Sequence, residues 1–146
     1  MRVQKSIEIA APPEKVWPFM IEPEKILEWY IPLKKFEYTS KRRKEVGAPF
    51  YFEEKTTGGT IKLNCEVAEL VENERFAFRM TSGNMMKSYV ELWTVTAAPS
   101  GSQFTFMEQG YLGLGILGKI IEPLAQRTSA GTVKKMLAKL KSLVEG

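Results

Sequence analysis

The chain has 146 residues, 44% of them hydrophobic and 26% charged, the balance of an ordinary folded domain and not of a disordered segment. Its net charge of +4 is spread along the chain, and it contains one cysteine and no histidine. That composition excludes an intramolecular disulfide, Ser-His-Asp and Cys-His nucleophile systems and the usual zinc sites.

Val3, Lys5, Ile7 and Ile9 alternate with Gln4, Ser6 and Glu8, the period of a half-buried strand. Ala11-Pro12-Pro13 ends that strand and opens a short helix carrying Val16, Trp17, Phe19 and Met20, which Pro18 limits. Pro23-Glu24 opens a second short helix with Ile26, Leu27 and Trp29, and it ends before Pro32. Six further strands are expected: Leu33–Thr39, Phe50–Lys55, Thr60–Val71, Arg75–Met80, Lys87–Thr96 and Gln103–Gly110. The Gly-, Pro- and Asn-containing separators between them are short, which favours antiparallel hairpins over crossovers.

Leu114–Glu145 reads as one long helix with two apolar stripes. Leu117, Ile120, Ile121, Leu124 and Thr128 form the first; Val133, Met136, Leu137, Leu140 and Val144 form the second, turned by roughly half a revolution. One straight helix cannot lay both on the same sheet. A kink at Ser129-Ala130-Gly131, or at Pro123, would reconcile them and is the expectation; otherwise one stripe is exposed to a partner or a membrane.

This order of elements resembles the START/Bet v 1-like (SRPBCC) superfamily, in particular its polyketide cyclase/dehydrase and lipid transport branch. The resemblance covers residues 1–146 as one ligand-binding domain. It rests on the opening strand into Ala11–Trp17, the Pro23–Trp29 segment, the Val67–Phe78 hairpin with Glu69, Asn73 and Arg75, and the closing Leu137–Glu145 run. It implies an α+β helix-grip fold, in which a seven-stranded curved antiparallel sheet wraps the C-terminal helix around a cavity for hydrophobic molecules. No catalytic motif comes with it, because one fold hosts many functions.

Strand parity indicates which side chains face inward. A hairpin turning at Pro99-Ser100 sets Val95 against Phe104, Trp93 against Phe106 and Glu91 against Glu108. Facing carboxylates on an apolar surface repel, so one is protonated or a cation neutralises them. Lys5 is the candidate cation, since the resembled fold runs the first strand antiparallel to the last. Glu91, Glu108, Tyr89 and Lys5 are therefore candidates for a polar anchor or for acid–base chemistry; solvated hairpin ends are the plainer alternative.

Phe50, Phe52, Leu63, Phe76, Phe78, Met80, Tyr89, Trp93, Phe104 and Phe106, with Leu117, Ile121 and Leu124 of the helix, are the expected cavity lining, although any core of this size needs such residues. Cys65 reads as a small core side chain. Tyr111–Gly118, with three glycines, reads as an entrance flap or a tightly packed loop. The Lys41–Lys44 run reads as a solvated hairpin tip rather than an anion site, and the lysine face of the terminal helix as solvated surface.

Three functions fit these features: carriage of a small hydrophobic molecule, a cofactor-independent cyclase/dehydratase, or a protein-interaction module resembling activators of a chaperone ATPase. A monomer or homodimer is expected, with no cofactor, no metal, no nucleic-acid partner and no stable membrane insertion. With no leader pattern and no run long enough to span a bilayer, a cytoplasmic location is expected.

Overall fold

The computed structural model describes residues 1–146. Strand β1 (Arg2–Ile9) is followed by α1 (Pro13–Val16), α2 (Pro18–Ile21) and α3 (Pro23–Trp29). Strands β2 (Leu33–Tyr38), β3 (Pro49–Thr56), β4 (Gly59–Val71), β5 (Arg75–Gly83), β6 (Ser88–Ala98) and β7 (Gly101–Tyr111) follow, and α4 (Ile116–Glu145) closes the chain. The seven strands form one antiparallel sheet in the order β1-β7-β6-β5-β4-β3-β2, so every neighbour but one is a sequential hairpin. This is the helix-grip architecture.

The expected first short helix is two one-turn pieces. Pro18 has no amide proton to continue α1, so it restarts the helix as its first residue, and the Glu22 amide donates to the Pro18 carbonyl at 3.0 Å. The β6–β7 hairpin adopts the register read from parity: Val95 pairs with Phe104, Trp93 with Phe106 and Glu91 with Glu108. Gly101 makes its turn possible, with φ +133° and no room for a Cβ, which would meet the Ile9 carbonyl at 2.5 Å.

The two stripes of the terminal helix do not come to one side, which corrects the expectation that a kink or break reconciles them. Helix α4 is continuous for 30 residues, Pro123 and Gly131 included. The second stripe, Val133, Met136, Leu137 and Leu140, is buried. The first faces solvent: Leu117, Ile120, Ile121 and Leu124 are all exposed. Length accounts for this. Thirty helical residues extend about 45 Å, whereas the eight residues of β1, the strand α4 packs on most, extend about 26 Å. The sheet covers only part of such a helix.

The core is one cluster of 30 buried residues, dense in aromatics. Phe36 stacks on Phe50 at 4.2 Å, Trp29 meets Trp93 edge-on at 5.1 Å and Phe78 meets Phe50 at 5.2 Å. The Trp29 indole donates to the Phe19 carbonyl at 2.7 Å, tying α3 to α2. The space between sheet and helix is thus largely filled with side chains. No helix is long and apolar enough to cross a membrane.

Candidate functional site

The inward parity of β6 and β7 brings Glu91 and Glu108 into the aromatic interior, where they are 1% and 5% exposed. Burial at that level without a cation requires specific hydrogen bonds. Tyr30, held at the C-terminal end of α3, donates to Glu91 Oε2 at 2.6 Å, and Trp93 Nε1 donates to Glu91 Oε1 at 2.8 Å. Tyr89 Oη lies 2.5 Å from Glu91 Oε2 and 2.6 Å from Glu108 Oε2.

Those contacts limit where the protons sit. A phenol carries one proton, so Tyr89 donates to one carboxyl and must accept from the other. Glu91 meets two phenols and an indole, of which only the indole is restricted to donating. Glu108 has Tyr89 as its sole side-chain partner. One shared proton serves both carboxyls: the one that holds it donates to the Tyr89 oxygen, and the other accepts from the Tyr89 hydroxyl. Burial, and then repulsion between the carboxyls, holds the shared proton well above the ordinary carboxylate range. Burial and the neighbouring glutamates likewise push both phenols up, so Tyr30 and Tyr89 remain donors.

Glu108 also borders a cleft of about 450 Å³. Tyr30, Pro32 and the end of β3 with its turn, Glu54–Thr57, form one wall, and Thr128, Ser129, Thr132, Val133 and Met136 of α4 form the other. Glu54 is half-buried there, and burial pushes its carboxyl up to about 8, with the Glu108 charge adding and a Tyr30 hydrogen bond opposing. The cleft therefore presents carboxyls raised by burial and a tyrosine, which can donate and accept toward a neutral oxygen function. The acidic side chains do not converge in a set that could hold a metal ion.

Lys5 does not serve as the charge partner. It pairs with Phe106, the cross-strand neighbour of Glu108 is Val3, and no ion pair joins Lys5 to either glutamate. A proton and three donors take its place. Among the expected lining residues, Phe50, Phe52, Leu63, Phe76, Phe78, Tyr89, Trp93, Phe104 and Phe106 are buried in the core cluster, and Met80 packs against it half-buried. None of these ten borders the cleft. Leu117, Ile121 and Leu124 do not border it and lie on the exposed side of α4, which runs on unbroken. Cys65 is buried, and burial raises its thiol far above the ordinary value. At the basic run, Arg42 pairs with Glu45 at 3.1 Å and Lys44 with Glu22 at 2.5 Å.

Parity alone would have found Glu54, which shares the inward face of β3 with Phe50 and Phe52. Tyr30 had no such signal, since its role depends on where α3 ends against the sheet.

A curved sheet gripping a helix, with a polar-floored cleft between them, defines a helix-grip protein. The sequence pattern of the family described as polyketide cyclase / dehydrase and lipid transport matches residues 1–145, and the chain belongs to that family. Among solved structures it is similar to TTHA0849 from Thermus thermophilus, with TM-score 0.81 at 18% identity, covering 99% of this chain and 97% of that one. A START superfamily protein from Mycobacterium smegmatis superposes with TM-score 0.76 at 16% identity, with coverage of 99% and 97%. Ara h 8.0201 does so with TM-score 0.67 at 13% identity, again covering 99% and 97%. At these identities the likeness is one of fold. No curated protein matches the sequence.

Proposed function

We propose that this protein binds a small, largely apolar molecule carrying a neutral carbonyl or hydroxyl group, lipid-like or polyketide-like, in the cleft between the β3–β4 turn and α4. The observation that carries this reading is the Tyr89 bridge, which ties Glu108 at the cleft to Glu91 through one shared proton. The burial-raised carboxyls of Glu108 and Glu54, with the Tyr30 phenol, exchange hydrogen bonds with an oxygen function, and Val133 and Met136 supply apolar contact opposite. An anionic head group would instead meet two glutamates, with Lys55 at the rim the only cation among the cleft residues.

A second reading is a cyclase- or dehydratase-type enzyme. It is favoured by Glu54 at about 8 beside the Glu108 acid, a pair suited to giving and taking a proton near neutral pH. The protein-interaction reading draws support from the filled aromatic interior, but it leaves a buried carboxyl pair open to a cleft without a purpose.

Native mass spectrometry of the protein purified from its own organism tests the binding reading. A retained neutral amphiphile, released by Glu108→Gln or bound with altered pH dependence, is the expected result. Protein that arrives empty and shows no tryptophan fluorescence response to long-chain alcohols and ketones overturns it. Turnover of a model poly-β-ketone, lost in Glu108→Gln, would select the enzyme.

A further inference from the structure

The outward face of α4 has no role in the cleft, and its composition is uneven along its length. Its first half exposes Ile116 (81%), Leu117 (61%), Ile120 (66%), Ile121 and Leu124 (66%). At 100° per residue these side chains occupy an arc of roughly 140°. Continued along the same arc, the helix places exposed Arg127, Lys134, Lys135 and Lys139. Between Ile116 and Lys139 the only acidic residue is Glu122, which lies outside that arc. Its carboxylate is 3.8 Å from the N-terminal ammonium and accepts from the Leu112 amide. Tyr111 and Leu114, also exposed, extend the apolar end, and Lys87 and Lys119 border the 630 Å³ groove beside them.

An exposed apolar stripe of this extent on a solvated surface marks a contact. The cations in line with it select the occupant. A second copy of the chain meeting this face would set four cations against four cations or against the apolar stripe. A lipid surface with anionic headgroups satisfies both halves at once, with hydrocarbon for the isoleucines and leucines and negative charge for the lysines and arginine.

We propose that the outward face of α4 docks this protein on an anionic membrane surface, with the Ile116–Leu124 stripe entering the headgroup–acyl boundary and Arg127, Lys134, Lys135 and Lys139 lying over the headgroups. Such docking is peripheral and reversible, since the apolar segment lies in the interface and does not span it. It is independent of what the cleft holds.

Co-sedimentation with vesicles of phosphatidylcholine, alone or mixed with phosphatidylglycerol, tests this. The protein is expected to bind the mixed vesicles, weakly or not at all the neutral ones, and to release as salt rises. Ile120→Glu/Leu124→Glu should abolish binding. Lys134→Glu/Lys135→Glu should weaken it by at least about 25-fold, near five-fold for each cation lost. All substituted side chains are exposed, and unchanged circular dichroism would verify that the variants fold. Absence of binding, equal binding to neutral vesicles, or sedimentation equilibrium showing a dimer that Ile120→Glu/Leu124→Glu dissociates would each overturn the proposal.

Discussion

Glu91 and Glu108 stand directly opposite each other on β6 and β7, with one tyrosine hydroxyl between their Oε2 atoms and no cation pairing with either. The two sites differ in what an amide can replace. At 108, a glutamine keeps a donor for the Tyr89 oxygen. At 91, it must turn its NH₂ either toward the Trp93 indole, which can only donate, or toward the oxygen position where Tyr30 donates. Glu91→Gln is therefore expected to cost about 1–3 kcal/mol and Glu108→Gln less than about 1 kcal/mol, measured by urea unfolding at neutral pH. The reverse order would mean that Glu91 does not depend on accepting from Tyr30 and Trp93.

Stability should fall toward alkaline pH. The Glu54 carboxyl is raised from 4.5 to about 8 in the folded protein, so the folded state holds a proton that the unfolded chain has released. Its contribution is complete below 4.5 and disappears as pH rises through about 8. Glu108, raised by burial, acts in the same direction. The urea midpoint is expected to decline across that window, and Glu54→Gln to flatten the decline. Glu145 has the opposite sign: its carboxyl, lowered by the Ala10 amide and Lys141, contributes above its ordinary 4.5 and loses that contribution in acid.

The aromatic interior behaves as core. Phe78 is 1% exposed and its ring lies against Phe50 at 5.2 Å, Phe52 at 5.4 Å and Trp93 at 5.9 Å. Truncating a side chain on the wall of an open hollow costs little, but emptying a filled site does not. Phe78→Ala is expected to cost about 3–5 kcal/mol in chemical denaturation. A loss below about 1 kcal/mol would mean that the space beside it was already open.

The continuity of α4 can be tested at Gly131, where an added Cβ meets nothing within 4 Å. Alanine in an uninterrupted, solvent-facing helix removes the entropic penalty of glycine, so Gly131→Ala should raise stability by about 0.5–1 kcal/mol. A helix that bends there would lose stability instead, and thermal unfolding distinguishes the two.

What could be read in the residues follows from how local each constraint is. The β6–β7 register was legible because a period of two and the turn at Pro99-Ser100-Gly101 together set the pairing, and with it the Glu91–Glu108 opposition. The same parity applied to β3 would have added Glu54. Tyr30 was out of reach: it follows α3, and its hydroxyl meets Glu91 across 61 positions of sequence. Lys5 misled because its face was right and its offset was wrong, two residues along from the Val3 that pairs with Glu108. For α4, periodicity correctly separated two stripes, but how much helix the sheet can cover is a property of the assembled fold.

The filled interior departs from the geometry usual for a greasy pocket. At this cleft the polar Tyr30 and Glu108 and the apolar Val133 and Met136 are buried to the same depth, while Lys55, Thr57 and Thr128 are exposed. A guest would have to bring an oxygen and hydrocarbon side by side at its leading end. Selection would then act on that end of the molecule, and what trails behind it would meet a polar opening.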